Sequence, residues 1–363
     1  METGGLGIVG GRVRLVDRRA GRLRAGRRPA AAVVLLLVLP ALSALGGCEA
    51  PRKNTPKGRA TQAEAEAATR AGDWKTAADR WHSIFLADPE CPVRPCAETA
   101  RALLRLKDAE SAANLLDLGL AKHPGDPDLL ERKGEALVQL GFRRAAEECF
   151  EKALAADPRR AGALLALGRL RVELGLESAA IVPLKRAIAL TGGDFETWRL
   201  LAKAWRASGS PREAYEAWLQ AFALGEGAVD DLVEAATLFV DESLRHAHPE
   251  AGEKMLVWLN RAVERDPQCT RAHFQLGVIS EELGGHEEAI EHYRRAVEVD
   301  PGCLMALTNL AILYARRGDE RNTREMVERA LALEQDGMRR KALQRLLDPF
   351  GKRGEHGGPG GTR

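Results

Sequence analysis

The chain of 363 residues is 45% hydrophobic, 29% charged and 5% aromatic, with a formal net charge of +2. That apolar share excludes an entirely disordered chain, and six cysteines over this length exclude a disulfide-dense mini-domain. A balance so near neutrality also excludes bulk electrostatic binding of nucleic acid, which needs a clearly basic footprint.

The charge is unevenly placed. Residues 1–28 hold eight arginines against two acids, Glu2 and Asp17. An apolar run, AAAVVLLLVLPALSAL, follows from Ala30 to Leu45 and is interrupted only by Pro40. Its length falls short of the roughly 20 residues of a membrane span and suits the core of an export signal. Leu45-Gly46-Gly47-Cys48 comes next. Basic, apolar and small-residue segments in this order resemble the leader and lipobox of bacterial lipoprotein precursors, although Gly46 stands where Ala or Ser is commoner. A plain membrane anchor, or a secretory signal with an incidental cysteine, is the competing reading.

The lipoprotein resemblance implies a signal peptide over residues 1–47, cleaved between Gly47 and Cys48. Cys48 would then carry the lipid, and residues 48–57 would form a short tether. Two or three acyl chains, at about 0.8 kcal/mol per buried CH₂, would make the attachment lasting. Glu49 is not the Asp associated with inner-membrane retention, so the expected location is the outer membrane, facing the periplasm. Removing residues 1–47, with their eight basic and two acidic side chains, leaves 46 Lys and Arg against 50 Asp and Glu. The remaining 316 residues then carry net charge −4.

From residue 58 to 336 a small-residue signal recurs. Ala77, Ala112, Ala146, Ala180 and Ala214 are spaced 35, 34, 34 and 34, and after one irregular unit Ala289 and Thr323 resume at 34. Twelve residues earlier stands another small residue: Ala100, Gly134, Gly168, Ala202, Gly277 or Ala311. Five earlier stands Gly72, Gly141, Gly175, Gly209, Gly284 or Gly318, and four later a bulky residue such as Trp81, Phe150, Trp218 or Tyr293. Pro89, Pro124, Pro158 and Pro301 punctuate the ends of units.

This frame resembles the tetratricopeptide repeat, and the likeness covers nearly all of the chain after the leader. It implies an all-α, right-handed superhelical solenoid of about eight helix-turn-helix units. Physically, close helix packing needs small side chains where ridges meet, as with Gly134 against Ala146 or Gly168 against Ala180. The glycine would let the chain leave a helix through a left-handed turn, and the bulky residue would fill the gap between neighbouring pairs. The sixth unit, about 229–268, has Met255 at the small-residue place and seven extra residues near His246-Ala247-His248-Pro249. That insertion is expected to project as a longer loop or extra turn. Apolar spacing still marks both its helices, through Leu232, Ala236 and Phe239, then Trp258, Leu259 and Ala262. Residues 337–349 read as a capping helix and 350–363 as a Gly-rich disordered tail.

Chemistry-bearing patterns are sparse. His286 and His292 are six apart, not the four that would let a zinc-protease helix share two histidines on one face. No nucleotide or hydrolase motif stands in a strand-turn-helix context, so no catalytic residue, metal site, cofactor or small-molecule substrate is expected. Trp198, Trp205 and Trp218 fall at the bulky places of repeat five; core packing is the favoured reading over an aromatic ligand cage. Cys91 and Cys96 bracket CPVRPC at a repeat junction, where a disulfide and a pair of unlinked loop cysteines both stay open. Cys269 and Cys303, at equivalent places one helix spacing apart, are expected not to bridge, and Cys149 sits on a packed helix.

In tetratricopeptide proteins the first helices line an inner groove that takes a partner. Mapped here, Arg169, Arg199, Lys203 and Arg206 make a basic stretch, followed by an apolar one from Phe274, Val278, Asn309 and Ile312. This suits an extended segment with acidic and hydrophobic anchors; a solvated charged surface is the alternative. The expected function is a lipid-anchored, periplasm-facing scaffold for assembling a cell-envelope complex of pilus-secretin or polysaccharide-export type. An adaptor recruiting substrate to a separate envelope enzyme, or a cytosolic adaptor with a misread start, would share these features. Cys48→Ser should move the protein out of the membrane fraction or leave it unprocessed. Unchanged mature mass and fractionation would end the lipoprotein reading.

Overall fold

The computed structural model describes residues 56–88 and 92–351, with side chains over 61–88 and 92–350. The leader, Gly47, Cys48, nearly all of the tether, Cys91 and residues 352–363 lie outside the described residues. Among the described residues no helix is long and apolar enough to cross a membrane, and no strand occurs.

The 34-residue period yields two helices per unit. The first unit is α1 (Pro56–Ala71) with α2 (Trp74–Leu86), and the second α3 (Val93–Arg105) with α4 (Ala109–Lys122). Then come α5 (Pro127–Gln139) with α6 (Arg143–Ala156), α7 (Ala161–Glu173) with α8 (Glu177–Thr191), and α9 (Phe195–Ala207) with α10 (Pro211–Leu224). The irregular sixth unit holds α11 (Val229–Ala236), α12 (Glu242–Ala247) and α13 (Ala251–Arg265). Two regular units close the series, α14 (Thr270–Glu282) with α15 (His286–Val299) and α16 (Leu304–Arg317) with α17 (Glu320–Leu333). Helix α18 (Gly337–Arg345) follows. Each first helix packs on its own second helix, and each second helix on the next first helix, except at one junction. Pro124, Pro158 and Pro301 fall just beyond the ends of α4, α6 and α15, as helix stops should.

The turn inside each pair has a specific cause. At Gly141, φ is +82, and the amides of Gly141 and Phe142 return to the carbonyls of Val138 and Leu137 at 3.0 and 2.8 Å, which satisfies the end of α5. Repeat two has no glycine at this place. Lys107 adopts φ +62 instead, alone among described non-glycine residues, and the same two bonds form from Lys107 and Asp108. A left-handed backbone at a residue with a Cβ costs about 1 kcal/mol, so the repeated geometry outweighs local preference there.

The small residue of the first helix is explained differently from the sequence expectation. A Cβ built on Gly134 would lie 2.5 Å from the Phe150 ring, one on Gly168 2.6 Å from Leu184, and one on Gly277 2.5 Å from Tyr293. The facing group is therefore the bulky residue of the second helix, not Ala146 or Ala180. Phe150, Leu184 and Tyr293 consequently fill the space inside their own pair, over the backbone of its first helix, and are almost wholly buried. The corresponding pairs Ala65 with Trp81, Ala100 with Leu116, Ala202 with Trp218 and Ala311 with Val327 are buried as well.

The insertion of unit six takes the extra-turn form, a 3-10 turn and α12 after α11, with His246, Ala247 and Pro249 exposed and the apolar residues turned inward. Leu238 and Phe239, in a 3-10 turn over Thr237–Val240, and Leu244 on α12 are buried in the largest apolar cluster. The chain folds back because these residues are apolar, and α10 is approached by α12 and the 3-10 turn where α11 would stand in a regular stack. Leu232, Ala236, Trp258, Leu259 and Ala262 are buried as their spacing predicts. At the far end Leu343 of α18 covers the last pair, and Phe350, read with the tail, is also buried.

Gly134→Ala tests the packing rule, because helix propensity and packing oppose each other. The added methyl gains about 1 kcal/mol of propensity and loses about 1–3 kcal/mol to overpacking. Urea denaturation should show a net loss of about 1 kcal/mol that Phe150→Leu in the same chain relieves. Additive effects of the two substitutions would refute the contact's role.

Candidate partner-binding groove on the first helices

The first helices of successive pairs present their remaining face on one side of the stack. An opening of about 1010 Å³ lies there, across α3, α5 and α7. Its floor is apolar, from Leu104, Val138, Phe150, Ala166 and Leu170, and its rim is charged. Arg101, Arg105, Lys107 and Arg169 supply the cations least committed elsewhere, with Arg101 3.7 Å from Glu98 and Arg169 3.7 Å from Glu196. The rim acids are partly engaged. Glu135 is held by both Arg132 contacts at 2.9 Å, and Asp108 caps α4 by accepting from the Ser111 amide at 3.1 Å, which leaves Glu110 and Glu173 facing solvent. Deeper on α5, Glu131 is buried against Arg160, and burial pushes its carboxyl above the usual carboxylate range.

Of the residues picked out by sequence, Arg169 alone lines this opening. Arg199, Lys203 and Arg206 stand on α9 as expected, but not as a free basic stripe. Arg199 donates to Glu196 at 2.7 Å and to Asp231 at 3.3 Å. Lys203 lies 3.2 Å from Asp231 and 3.1 Å from Glu234, and Arg206 2.8 Å from Glu234. With Arg169 on Glu196, the four cations and three acids alternate across α7, α9 and α11. The hydrogen bond to Glu196 comes first among the causes that hold the Arg199 guanidinium above its ordinary pKa. Asp231, whose side chain is 9% exposed, also accepts from the Ala228 amide at the start of α11.

The uncharged quartet is placed on α14 and α16. Phe274 and Val278 pack against the apolar cluster of the last repeats, with the Phe274 ring 5.7 Å from that of Tyr293. Asn309 and Ile312 are half-buried beside them on α16. None of these four lines the cavity at repeats two to four. The sequence reading missed Arg101, Arg105 and Lys107. Arg101 stands at the same repeat position as Arg169, which was the available signal, whereas Arg105 and Lys107 align with Glu173 and Gly175 and carried none.

Among the cysteines, Cys96 is buried on α3, not in a loop, with its sulfur 3.7 Å from the Leu115 carbonyl oxygen and packed toward Gly119. Its pairing with Cys91 falls partly outside the described residues. Cys149 is buried on α6, and burial raises its thiol pKa. Cys269 and Cys303 occupy the N-cap positions of α14 and α16. Trp218 is core, whereas Trp198 and Trp205 are half-buried at the edge of a cleft. Among the described residues no cluster of His, Cys, Asp or Glu could hold a metal ion.

The alternating network has a measurable consequence. Asp231→Asn would leave Arg199 and Lys203, both about a quarter exposed, without their shared carboxylate. Discounted for that exposure, the expected loss is about 1–2 kcal/mol in urea denaturation, shrinking in high salt. An unchanged midpoint at low salt would show that the network contributes nothing to the stack.

A family model for the tetratricopeptide repeat matches residues 131–195, 259–302 and 281–337. No curated protein matches the chain. Among solved structures, the C-terminal part of a TPR repeat-containing protein from Cytophaga hutchinsonii is 13% identical, with a TM-score of 0.51 over 68% of this chain and 98% of that one. YrrB, described as a TPR protein with an unusual peptide-binding site, is 22% identical, with a TM-score of 0.47 over 55% of this chain and 99% of its own. MamA from Desulfovibrio magneticus RS-1 is 20% identical, with a TM-score of 0.34 over 58% and 96%. The chain thus carries tetratricopeptide repeats over residues 131–195 and 259–337, and such repeats suggest a scaffold for protein–protein interaction.

Proposed function

We propose that this protein is a lipid-anchored, periplasm-facing scaffold. It would hold an extended segment of a partner along its first helices during assembly of a cell-envelope complex of pilus-secretin or polysaccharide-export type. The observation that carries the groove is the opening across α3, α5 and α7, where an apolar floor meets exposed guanidinium and ammonium groups. An extended segment with hydrophobic side chains and carboxylates matches both parts. The envelope setting is supported by the leader, in which an arginine-rich stretch, the apolar run and Leu45-Gly46-Gly47-Cys48 follow in order.

The cations of α9 are poor reporters of partner capture. Reversing Arg199 and Lys203 to glutamate would set new acids against Glu196, Asp231 and Glu234 and loosen the stack itself. Arg101 and Arg169 are better placed, being more exposed and on the rim of the opening. Crosslinked affinity capture from intact cells should recover specific envelope partners with the native chain. Arg101→Glu with Arg169→Glu should lose them while circular dichroism keeps the full helical signal. Undiminished capture by the double variant would refute the groove, and exclusively cytosolic partners would refute the envelope setting.

A further inference from the structure

Repeat five carries a second opening, on a different set of helices. Trp198 and Trp205 are seven residues apart on α9, so they share a face at about 10.5 Å of helix rise. In repeats three, four and eight the place of Trp198 is taken by Leu130, Leu164 and Leu307, which are buried, and the place of Trp205 in repeat eight by the buried Tyr314. The two indoles are only half-buried, and they line a cleft of about 560 Å³ between α8, α9 and α10. Ala189 and Ala217 across the cleft are too small to cover them. The Trp198 indole N–H donates to the Gly192 carbonyl at 3.3 Å, which fixes that ring in place.

The polar rim of the cleft is acidic in balance. Glu213 and Glu216 face Lys185 as the charged groups of the lining. Among the described residues Glu213 has no ion-pair partner, and Glu216 has no lysine or arginine within ion-pair distance, only the ring nitrogen Nε2 of His248 at 3.8 Å. Lys185 itself shows what the ring attracts, because its Nζ stands 5.9 Å from the centroid of the Trp205 ring. An aromatic face draws a cation through its quadrupole, with tryptophan the strongest of the side chains, and a nearby carboxylate adds a direct charge contact.

We propose that the Trp198–Trp205 cleft binds a cationic side chain, an arginine or lysine presented by a polypeptide partner, and that Lys185 occupies part of this site until the partner arrives. This site is independent of the groove on α3, α5 and α7, where the available charge has the opposite sign. A glycan would stack on the same indoles without needing the carboxylates, and that difference separates the two occupants.

The test titrates the chain from residue 48 onward with an acetylated Gly-Arg-Gly-Arg-Gly-Arg amide, using calorimetry at low salt. Saturable binding is expected, with the glutamate counterpart of the peptide inert. Glu213→Gln with Glu216→Gln lies at the exposed rim and should weaken binding about tenfold with helical content unchanged. Trp205→Leu should weaken it as well. Lys185→Ala should tighten it several-fold by removing the internal competitor, an effect that loss of folding could not produce. The proposal is overturned by absence of binding at millimolar peptide, or by an affinity indifferent to the glutamine pair. It is equally overturned if Lys185→Ala weakens binding, or if a neutral hexasaccharide binds as tightly in the glutamine variant as in the native chain.

Discussion

The structure depends on one contact repeated along the chain, a bulky side chain of the second helix seated over the backbone of the first. At Gly134, Gly168 and Gly277 the seat is so close that a single methyl would collide with Phe150, Leu184 or Tyr293. Close approach of the two helices fixes which face of the first helix remains for the groove and which face meets the preceding repeat. Unit six shows the same need met in reverse. There Gly252 is on the second helix, and its missing Cβ would stand 3.0 Å from the ring of Phe239, on the 3-10 segment after α11.

That reversal has electrostatic consequences. In a regular stack the second helix of one unit supports the first helix of the next, yet α10 is approached by α12 and the 3-10 turn. The connection from α9 to α11 is carried by side chains that are long enough to span the interval, Arg199, Lys203 and Arg206 reaching Asp231 and Glu234. A repeat protein is stable through nearest-neighbour interfaces, so a weak interface in mid-stack would divide it. Ion pairs whose members are each less than half exposed can supply specificity of register at such a junction.

The periodic part of this fold was legible in the sequence because a 34-residue repeat states the same packing problem many times. The glycine turns, the proline stops and the buried faces of α11 and α13 all follow from it. What escaped was whatever needed a partner from another repeat. Asp231 and Glu234 lie 28 to 32 residues from the cations they meet, inside the one unit that could not be aligned, so a count of sign along α9 showed a basic stripe that the fold neutralises. The insertion's length was visible and fitted either a loop or an extra turn, whereas the burial of Leu244 that anchors the extra turn was not visible. Lys107 is the converse case, a residue that hides a turn which every other regular repeat marks with glycine.

The fate of the three tryptophans shows how one frame can serve both packing and binding. Trp218 is opposite Ala202, where the pair has room for an indole, and it is wholly buried. Trp198 and Trp205 occupy places built for leucine or tyrosine, and their excess volume has nowhere to go but outward. Apolar area left in water is unfavourable, at about 25 cal/mol per Å², so an indole edge at the surface is a standing attraction for any group that covers it. Lys185 covers part of one ring. Coverage by an aliphatic stem with a charged head keeps the head hydrated while the ring is shielded, which is how a long basic side chain lies on an apolar surface. The composition of the cleft, two indoles beside two carboxylates, extends that same arrangement to a basic side chain from outside the molecule.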